Sequence, residues 1–370
     1  MSKIWHMPCF TARILLALCL LLPSAAAWGG TTKTFPAPQT AVEGLALQLV
    51  IYGTTDTGLF TPVIRAFQQQ RPTVTVVYHE LQSEETDERV RAETEAGGPT
   101  ADFVLSSAMD LQFKLANDGF AQRVDVPSAQ ELPPWAVWRD TAFGLTFEPT
   151  VMVYHRPTFA ERAPPRTRAD LRQLLGDDAW EEALAGRIGT YDISRSGLGF
   201  LLLARDADVD PDLWDLVSLM GRAGVKLYTD SAAIIDKTAQ GRLAYGYNVL
   251  GSYAAAMAPE RPDLGIIVPE DFVVVLSRIG LVPRLARTPE AGRLFLDFLA
   301  SRAGQTVLAN DVNLNALHPA VQGANTMAAL VAEAETTIRP IRVGAGLLVY
   351  RDQSKRRRLL DRWHQALTVQ

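Results

Sequence analysis

Cysteine is almost absent from this chain. Two of the 370 residues are cysteines, Cys9 and Cys19, and both lie close to the N-terminus. Removal of a secretory signal would take both away, so the mature protein would have no disulfide, no thiol nucleophile and no thiolate metal ligand. The fold must then rely on a large hydrophobic core, and a chain of this length can bury one.

The N-terminal stretch has the pattern of a secretory signal. Two basic residues, Lys3 and Arg13, accompany an apolar run over residues 14–22, and the small residues of Ala25-x-Ala27 follow. This order is typical of signal peptides, and the run is shorter than the ~20 apolar residues that a membrane-spanning helix needs. We predict a signal peptide over residues 1–27 and a periplasmic location.

Long apolar runs and an excess of positive charge are also missing. After the signal, no segment approaches ~18 consecutive apolar residues. The chain has 36 Lys and Arg against 41 Asp and Glu, a net charge of −5, and loss of the two basic residues of the signal makes it −7. This balance argues against nucleic acid as a partner. We expect a two-domain mature protein that is not embedded in the membrane.

The first part of the mature chain alternates strands and helices. Residues 28–44 are largely polar and contain two prolines, and we predict a flexible leader there. The predicted elements that follow are strand 46–52, helix 58–70, strand 73–79, helix 84–96, strand 102–105 and helix 107–117. The first strand is apolar and β-branched enough for a parallel sheet buried on both faces. The pattern predicts a doubly wound α/β domain, whose ligands bind beyond the carboxyl ends of its strands.

A second α/β unit lies between two extended segments, residues 143–154 and 272–277. Its predicted elements are helix 167–175, strand 187–190, helices 197–204 and 211–222, strand 225–228, helix 231–240 and strand 242–246. A helix over 288–302 follows the second extended segment. We interpret the two segments as crossings of a hinge. The predicted first lobe is therefore residues 45–146 plus 275–370, and the predicted second lobe is residues 147–274.

Small or polar residues follow five of the predicted strands, and these are the candidate ligand-binding residues. They are Thr54, Thr55 and Asp56; Ser106 and Ser107; Arg195, Ser196 and Gly197; Thr229; and Tyr247 and Asn248. Because strand ends converge at one edge of an α/β sheet, we expect these residues to face one cleft.

The segment before helix 197–204 favours an anion. The helix dipole, the free N–H groups of its first turn and the guanidinium of Arg195 would all attract negative charge. A purely structural interpretation is also open at this segment, with Ser196 as a helix cap and Arg195 in solvent. The agreement of several strand ends favours the ligand site.

Two motifs make a resemblance specific. TYDISRSGLGFLLL, residues 190–203, and LAYGYNVLGSY, residues 243–253, together with the early strand-turn-helix, resemble the substrate-binding components of ABC transporters. The similarity is to the branch of ferric-iron, hexose-phosphate and phosphoglycerate-type binding proteins, and above all to the phosphoglycerate-transport regulatory proteins. It extends from about Leu45 to about Ala309, which is most of the mature chain.

The resemblance implies a type II periplasmic binding protein fold, with two doubly wound lobes joined by a two-crossing hinge that closes on the ligand. The site would lie in the cleft, on the candidate residues above. The implied ligand is a small anion, phosphorylated or carboxylated, which the protein delivers to an ABC permease or reports to a membrane sensor kinase. We expect a monomer without catalytic residues, cofactor or metal.

A ferric-iron carrier of the same fold is the first alternative. Iron binders of this branch use adjacent tyrosines as ligands, whereas the matching residues here are Tyr247 and Asn248. Tyr245, Tyr247, Tyr253 and the His79-Glu80 pair remain as possible oxygen or nitrogen donors. The missing tyrosine pair is the reason why no metal is predicted.

An exported enzyme that uses the same fold is the second alternative, since a fold does not fix a function. His155 and His318 have no Ser or Cys partner that the sequence can place beside them, so no hydrolytic triad is predicted. The basic run Lys355–Arg358 is interpreted as the solvated face of a C-terminal helix. Docking of this run on an anionic membrane or a membrane partner is the alternative.

Overall fold

The computed structural model describes Met1 and residues 30–40, 47–333, 336–349 and 351–368, and within these residues two seven-stranded sheets organise the fold. Apart from Met1, the predicted signal peptide lies outside the described residues. The strands are β1 (Thr31–Phe35), β2 (Leu47–Gly53), β3 (Val74–Glu80), β4 (Phe103–Ser106), β5 (Val137–Trp138), β6 (Ala142–Gly144), β7 (Glu148–His155), β8 (Ile188–Tyr191), β9 (Lys226–Tyr228), β10 (Tyr245–Leu250), β11 (Leu264–Ile267), β12 (Phe272–Leu276), β13 (Ile279–Leu281) and β14 (Thr337–Pro340).

Thirteen α-helices lie within the described residues and pack against these sheets. They are α1 (Thr57–Gln70), α2 (Ser83–Glu95), α3 (Met109–Asn117), α4 (Arg168–Leu175), α5 (Glu181–Leu184), α6 (Gly197–Val209), α7 (Leu213–Arg222), α8 (Ser231–Ala239), α9 (Gly251–Met257), α10 (Pro289–Ala300), α11 (Arg302–Asp311), α12 (Met327–Glu333) and α13 (Gln353–Thr368).

The first sheet has the strand order β1-β3-β2-β4-β13-β6-β5. Its centre is parallel, since β2 pairs in parallel with both β3 and β4, while β13 runs antiparallel between β4 and β6. Phenylalanines of α1 and α10 fill the core on one face, and the rings of Phe67 and Phe295 meet edge to face with centroids 5.0 Å apart. We call the body built on this sheet the first lobe.

The second sheet has the order β14-β12-β7-β10-β8-β9, and β11 also pairs with β7. Strands β8, β9 and β10 are parallel, and β7 runs antiparallel to both β10 and β12. We call the body built on this sheet the second lobe. Both sheets are therefore parallel in part, and each contains the antiparallel strands that carry the chain between the lobes.

The two predicted crossings are the links from β6 to β7 and from β12 to β13, and they are hydrogen-bonded to each other. Leu145 N donates to Arg278 O at 2.9 Å, and Arg278 N donates to Thr146 Oγ1 at 2.8 Å. The Ser277 hydroxyl donates to Thr146 O at 2.6 Å. A third passage, from α12 to β14, also leads from the first lobe to the second and was not part of the prediction.

The alternating elements predicted between residues 46 and 117 are confirmed, with ends that differ by at most two residues. The helix predicted over 288–302 is interrupted at Ser301. Its hydroxyl accepts from Gly304 N at 3.3 Å and caps a new helix, α11. A serine inside an amphipathic pattern was the available signal for this break.

The leader predicted over residues 28–44 is partly structured. Thr31–Phe35 forms β1, an edge strand antiparallel to β3, in which Thr31 pairs with Glu80 and Phe35 pairs with Val76. Phe35 is fully buried in the core of the first lobe. The β-branched threonines before this phenylalanine suit a strand, and the polar composition concealed that preference.

The C-terminal part of the chain packs on the second lobe, although residues 275–370 were predicted to complete the first. Strand β14 pairs in parallel with β12, and α13 packs against α7. Leu359, Trp363 and Ala366 form the buried face of α13 and join the core that contains Leu216. Helical spacing predicts such an apolar face, but it does not show which sheet the face will cover.

No helix among the described residues is both long and apolar enough to cross a membrane.

Helix α10 lies so close to the first sheet that its Gly292 has no room for a side chain. A Cβ at this position would overlap the carbonyl oxygen of Asp102, which belongs to the rigid backbone next to β4. We expect Gly292→Ala to lower the free energy of unfolding by about 1–3 kcal/mol, as overpacking does. Gly58→Ala in α1 is the matched control, because nothing lies within 4 Å of its Cβ position. Urea unfolding measures the stability of both variants. An unchanged midpoint for Gly292→Ala would contradict this packing.

Candidate ligand-binding cavity

A cavity of about 250 Å³ lies between the two lobes. This volume is just below the ~300–1,000 Å³ of sites for drug-sized ligands, so the cavity suits a small metabolite. Its polar lining from the first lobe includes Thr54, Asp56, Glu80, Glu84, Ser107 and Arg278. Its polar lining from the second lobe includes Ser196, Thr229, Asp230, Ser231 and Tyr253. A molecule in this cavity would contact both lobes at once.

Helix starts surround the cavity. The residues that line it include the first turns of α2, α6 and α8 and the residues directly before α1. Helix starts meet here because strands such as β2 and β8 end at this edge of their sheets. Sequence reasoning predicted five of the lining residues: Thr54, Asp56, Ser107, Ser196 and Thr229.

The protein's own side chains already bind several of these helix starts. Ser196 Oγ accepts from Gly199 N at 3.2 Å, and Asp230 Oδ1 accepts from Ala233 N at 2.8 Å. Glu80 Oε2 accepts from both the N–H and the hydroxyl of Thr57, each at 2.7 Å. Part of the capacity of these helix starts to bind an external anion is therefore used internally.

Four carboxylates line the cavity, and two of them have perturbed pKa values. Burial raises the pKa of Asp56, and the charges of Glu80 and Asp230 raise it further, while a hydrogen bond with Tyr253 and the charge of Arg278 oppose the rise. Burial also raises the pKa of Glu84, and the nearby carboxylate of Asp110 adds to this rise, which the charges of Arg356 and Arg351 oppose. Both shifts arise mainly from burial, which disfavours the charged form of a carboxyl group.

Arg278 supplies positive charge to the lining, and it is paired within the protein. Its Nη1 donates to Thr55 Oγ1 at 2.9 Å, and its Nη2 donates to Glu148 Oε2 at 3.1 Å. Its Nε lies 2.9 Å from Glu148 Oε1, and both side chains are almost fully buried. Burial lowers the pKa of Arg278, but the charge and hydrogen bonding of Glu148, together with Tyr253 and Tyr78, raise the pKa above its ordinary value.

Arg278 and Tyr253 were missed by sequence reasoning. Arg278 directly follows the extended segment 272–277, and a charged residue at the end of an apolar strand was the available signal. Tyr253 was considered as a possible metal donor. Its hydroxyl instead lies 3.4 Å from Asp56 N and accepts from it, which links the two lobes beside the cavity.

Three predicted residues support the cavity without lining it. The Thr55 hydroxyl accepts from Arg278. Ser106 Oγ accepts from Ala108 N at 3.2 Å, just before α3 begins. Gly197 lets α6 pack closely against α2, since a Cβ there would lie 2.8 Å from Glu84 Oε1.

The structure does not bring Arg195 to the cavity. Its side chain is exposed in the turn before α6, where Arg195 N donates to Asp192 O at 3.1 Å. The Asp192 side chain also accepts from Ser194 N at 3.0 Å. This compact turn directs Ser196 inward and leaves Arg195 in solvent.

Tyr247 and Asn248 lie inside the second lobe, away from the cavity. Strand β10 continues to Leu250, four residues beyond the predicted end, so both residues lie within the strand. A register shift after Gly246 and a φ of 65° at Asn248 mark a bulge there. Leu250, at the true end of the strand, lines the cavity instead.

A buried charge network holds these two residues. Tyr247 Oη donates to Asp206 Oδ2 at 2.6 Å, and Asn248 Nδ2 donates to the same oxygen at 2.8 Å. Arg168 completes the network, with its Nε 2.9 Å from Tyr247 Oη and its Nη2 3.2 Å from Asp206 Oδ1. Arg168 Nη1 also donates to Asp271 Oδ1 at 2.9 Å. These contacts give Tyr247 and Asn248 a structural role in the second lobe.

Of the donors considered for iron, Glu80 and Tyr253 line the cavity, whereas Tyr245 and His79 do not. Tyr245 Oη donates to Pro165 O at 2.8 Å inside the second lobe, and His79 Nδ1 lies 2.9 Å from the Thr32 hydroxyl. In the part of the chain that the structure describes, no group of three or more His, Cys, Asp or Glu side chains is arranged to hold a metal ion.

Comparison with known proteins gives a consistent result. A family model described as bacterial extracellular solute-binding protein matches residues 63–336. One similar structure is the crystal structure of the substrate-binding protein of an ABC transporter from Agrobacterium tumefaciens, whose sequence is 46% identical. The match covers 92% of this chain and 99% of that chain, with a TM-score of 0.87. None of the curated proteins compared with the chain matches it.

Two more distant structures share the fold. The periplasmic binding protein AfuA from Actinobacillus pleuropneumoniae, solved with exogenous fructose-6-phosphate, is 16% identical, with 87% of this chain and 99% of that chain covered and a TM-score of 0.70. Iron-bound HitA from Pseudomonas aeruginosa is 17% identical, with 86% and 99% covered and a TM-score of 0.66. The type II periplasmic binding protein fold predicted from the sequence is confirmed.

The Arg168 network predicts a large difference between two arginine variants. Arg168→Met would leave the buried Asp206 carboxylate uncompensated, and we expect a loss of about 3–5 kcal/mol in the free energy of unfolding. Arg195→Ala, in the exposed turn, should change it by less than ~0.5 kcal/mol. Urea unfolding, followed by circular dichroism, measures the free energy of unfolding of both variants. Equal stabilities would show that the buried network does not support the second lobe.

Proposed function

Because the chain belongs to the family of bacterial extracellular solute-binding proteins, we propose that the cavity between its lobes binds one small solute that carries a positively charged nitrogen. The protein is the solute-binding component of an ABC-type transporter, and the partner implied by that role is the permease. We further propose that it works as a monomer in the periplasm. Delivery to the permease is the primary role, and reporting to a sensor kinase is the alternative.

The charge of the cavity lining is the main observation in favour of a positively charged ligand. Asp56, Glu80, Glu84 and Asp230 line the cavity, whereas the charge of Arg278 is balanced by Glu148 behind it. At an effective dielectric constant of about 20, two like charges 4 Å apart repel each other by about 4 kcal/mol. An ammonium group in this cavity would be attracted by charges that would repel a phosphate.

The anionic ligand expected from the sequence depended on Arg195 and on free helix starts. Arg195 is exposed outside the cavity, and Ser196, Asp230 and Glu80 bind the helix starts internally. The N-termini of α2, α6 and α8 still favour the anion as a second candidate, because their dipoles point towards the cavity. A zwitterion would use both features, with its ammonium on the carboxylates.

The rest of the lining suits a short apolar stem with polar substituents. Leu198 and Leu250 contribute apolar surface, and Tyr253 adds its ring, with its hydroxyl beside Asp56. Hydroxyls of Thr54, Ser107 and Ser231 supply hydrogen-bond donors and acceptors. A small amine or amino acid of a few carbons fits this combination and the volume.

The first test identifies the solute itself. Protein purified without refolding and then denatured should release a small molecule with a basic nitrogen, which mass spectrometry in positive-ion mode detects. Asp56→Asn and Glu84→Gln should each weaken binding by roughly ten- to a hundredfold, because a hydrogen bond to a charged group contributes about 1.5–3 kcal/mol. Calorimetry with the identified solute measures these affinities, and Arg195→Ala is the matched control that should bind as the wild type does.

Other outcomes separate the alternatives. Release of a phosphate ester, or of a carboxylic acid without nitrogen, would contradict the amine while leaving solute capture intact. Release of iron would favour the ferric carrier. Turnover of the solute on prolonged incubation would favour the enzyme over a binding protein.

The pH dependence of binding has opposite signs for a cation and an anion. The pKa values of Asp56 and Glu84 are raised, so these side chains become protonated at a higher pH than ordinary carboxyls as the solution is acidified. Protonation removes the negative charge that attracts an ammonium and repels a phosphate. Affinity for the amine should therefore fall as the pH drops through these raised values, and Asp56→Asn should flatten the change. An affinity that increases on acidification would contradict a cationic ligand.

A further inference from the structure

Positive charge is concentrated near the C-terminus of an otherwise acidic chain. Residues 337–362 include eight Lys or Arg and two Asp, a net charge of +6, whereas the whole chain carries −5, which leaves −11 for the remainder. Two of these basic residues face the first lobe, since Arg351 lies 3.5 Å from Asp110 and the charges of Arg351 and Arg356 act on Glu84. The others neither line the ligand cavity nor lie in the hinge. A local reversal of charge on this scale is typical of a surface that binds an acidic partner.

Part of this charge forms a stripe on α13. Lys355, Arg358 and Arg362 are exposed and recur at helical spacing, so they share one face of the helix. The opposite face, with Leu359 and Trp363, is buried against α7. The packing of α13 therefore turns its basic stripe outwards.

An apolar groove of about 520 Å³ lies beside this segment, and its volume is about twice that of the ligand cavity. Its apolar walls are Val209 from the end of α6, Val274 from β12, and Pro340, Ile341 and Val343 from β14 and the residues that follow it. Such a groove combines apolar walls with a few polar groups, which is the usual composition of a recognition site.

Three arginines border this groove. Arg339 and Arg342 are exposed, while Arg205 Nη2 donates to Gly346 O at 3.2 Å and its Nη1 pairs with Asp208 at 3.2 Å. The groove thus joins an apolar interior to a positively charged rim. The ligand cavity has the reverse character, since carboxylates dominate its lining.

Helix α6 connects the groove to the base of α13. Arg205 borders the groove, and Phe200, five residues earlier on α6, lies under the guanidinium of Arg356 of α13 at 4.6 Å from the ring centroid. Five residues of helix span about 7.5 Å, so one short length of α6 supports both features. The groove and the first turn of α13 therefore both lie beside α6, and we treat them together as one basic region.

We propose that this region is a docking surface for an acidic segment of another protein, with an apolar side chain of that segment in the groove and its carboxylates on Arg339 and Arg342. The concave shape of the groove suits one bulky side chain, and the arginines match the charge of the segment. The structure favours a protein over a lipid surface, because a helix that lies in a membrane needs large exposed apolar residues. The exposed face of α13 presents basic side chains instead.

The test uses the mature protein and three short fluorescent peptides. One is rich in Glu and Asp with a central Phe, the second has Ser in place of Phe, and the third has Lys in place of the acidic residues. The first peptide should bind at least about tenfold more tightly than the other two, equivalent to about 1.4 kcal/mol. Its affinity, measured by fluorescence anisotropy, should fall as salt is added, because exposed charges are screened.

Matched charge reversals locate the surface. Arg339→Glu combined with Arg342→Glu should weaken binding of the acidic Phe peptide at least tenfold. Arg71→Glu combined with Arg302→Glu, at exposed positions of the first lobe, should leave it unchanged. Urea unfolding of both pairs confirms that neither change acts through loss of the fold.

Four outcomes would overturn the proposal. Equal binding of the Phe and Ser peptides would remove the role of the groove, and equal effects of the two charge reversals would remove the role of this surface. Binding to vesicles of anionic lipid, without binding of the acidic peptide, would assign the surface to a membrane. Self-association of the protein that is lost in the Arg339 and Arg342 variant would assign it to a second copy of the chain.

Discussion

A buried ion pair between Arg278 and Glu148 joins the two crossings of the chain between the lobes. Glu148 opens the first strand of the second lobe after one crossing, and Arg278 lies in the link that returns the chain to the first lobe. Burying two charges has a large desolvation cost, which is recovered only when geometry and additional hydrogen bonds are favourable. Thr55, Thr146 and Ser252 provide these bonds, with Ser252 Oγ donating to Glu148 Oε2 at 2.6 Å. The hinge and one wall of the cavity therefore share a single polar network.

This pairing also determines the electrostatics of the cavity. Glu148 neutralises Arg278 from behind, so Arg278 offers hydrogen-bond donors at the cavity wall with little net positive charge. The carboxylates of Asp56 and Glu84 then supply negative charge to the cavity, and burial raises the pKa values of both. A fold that is shared with binding proteins for very different solutes can thus be adapted by a few residues at its strand ends.

Local patterns in the sequence were sufficient to predict most of the helices and strands of the first lobe and part of the ligand site. Residues 46–117 alternate apolar and amphipathic segments clearly, and the residues after β2 and β4 reach the cavity as strand ends should. The predictions fail where contacts between residues distant in sequence determine the local structure. The bulge at Asn248 extends β10, the turn after Asp192 rotates Arg195 outwards, and the sheet covered by α13 depends on contacts distant in sequence. Arg278 was missed because its partners, Thr55 and Glu148, lie far away in the chain.

The placement of β14 and α13 in the second lobe affects the order in which the chain can fold. The first lobe is complete in sequence once α11 and α12 have formed, but the second lobe still lacks its edge strand β14 and the helix that covers α7. Contacts between residues far apart in sequence form slowly, because a long loop must close before they are made. A chain that emerges N-terminus first would therefore finish the first lobe while the second remained open. The segment that contains β14 and α13 closes the second lobe, so this lobe becomes compact only after that segment has been synthesised.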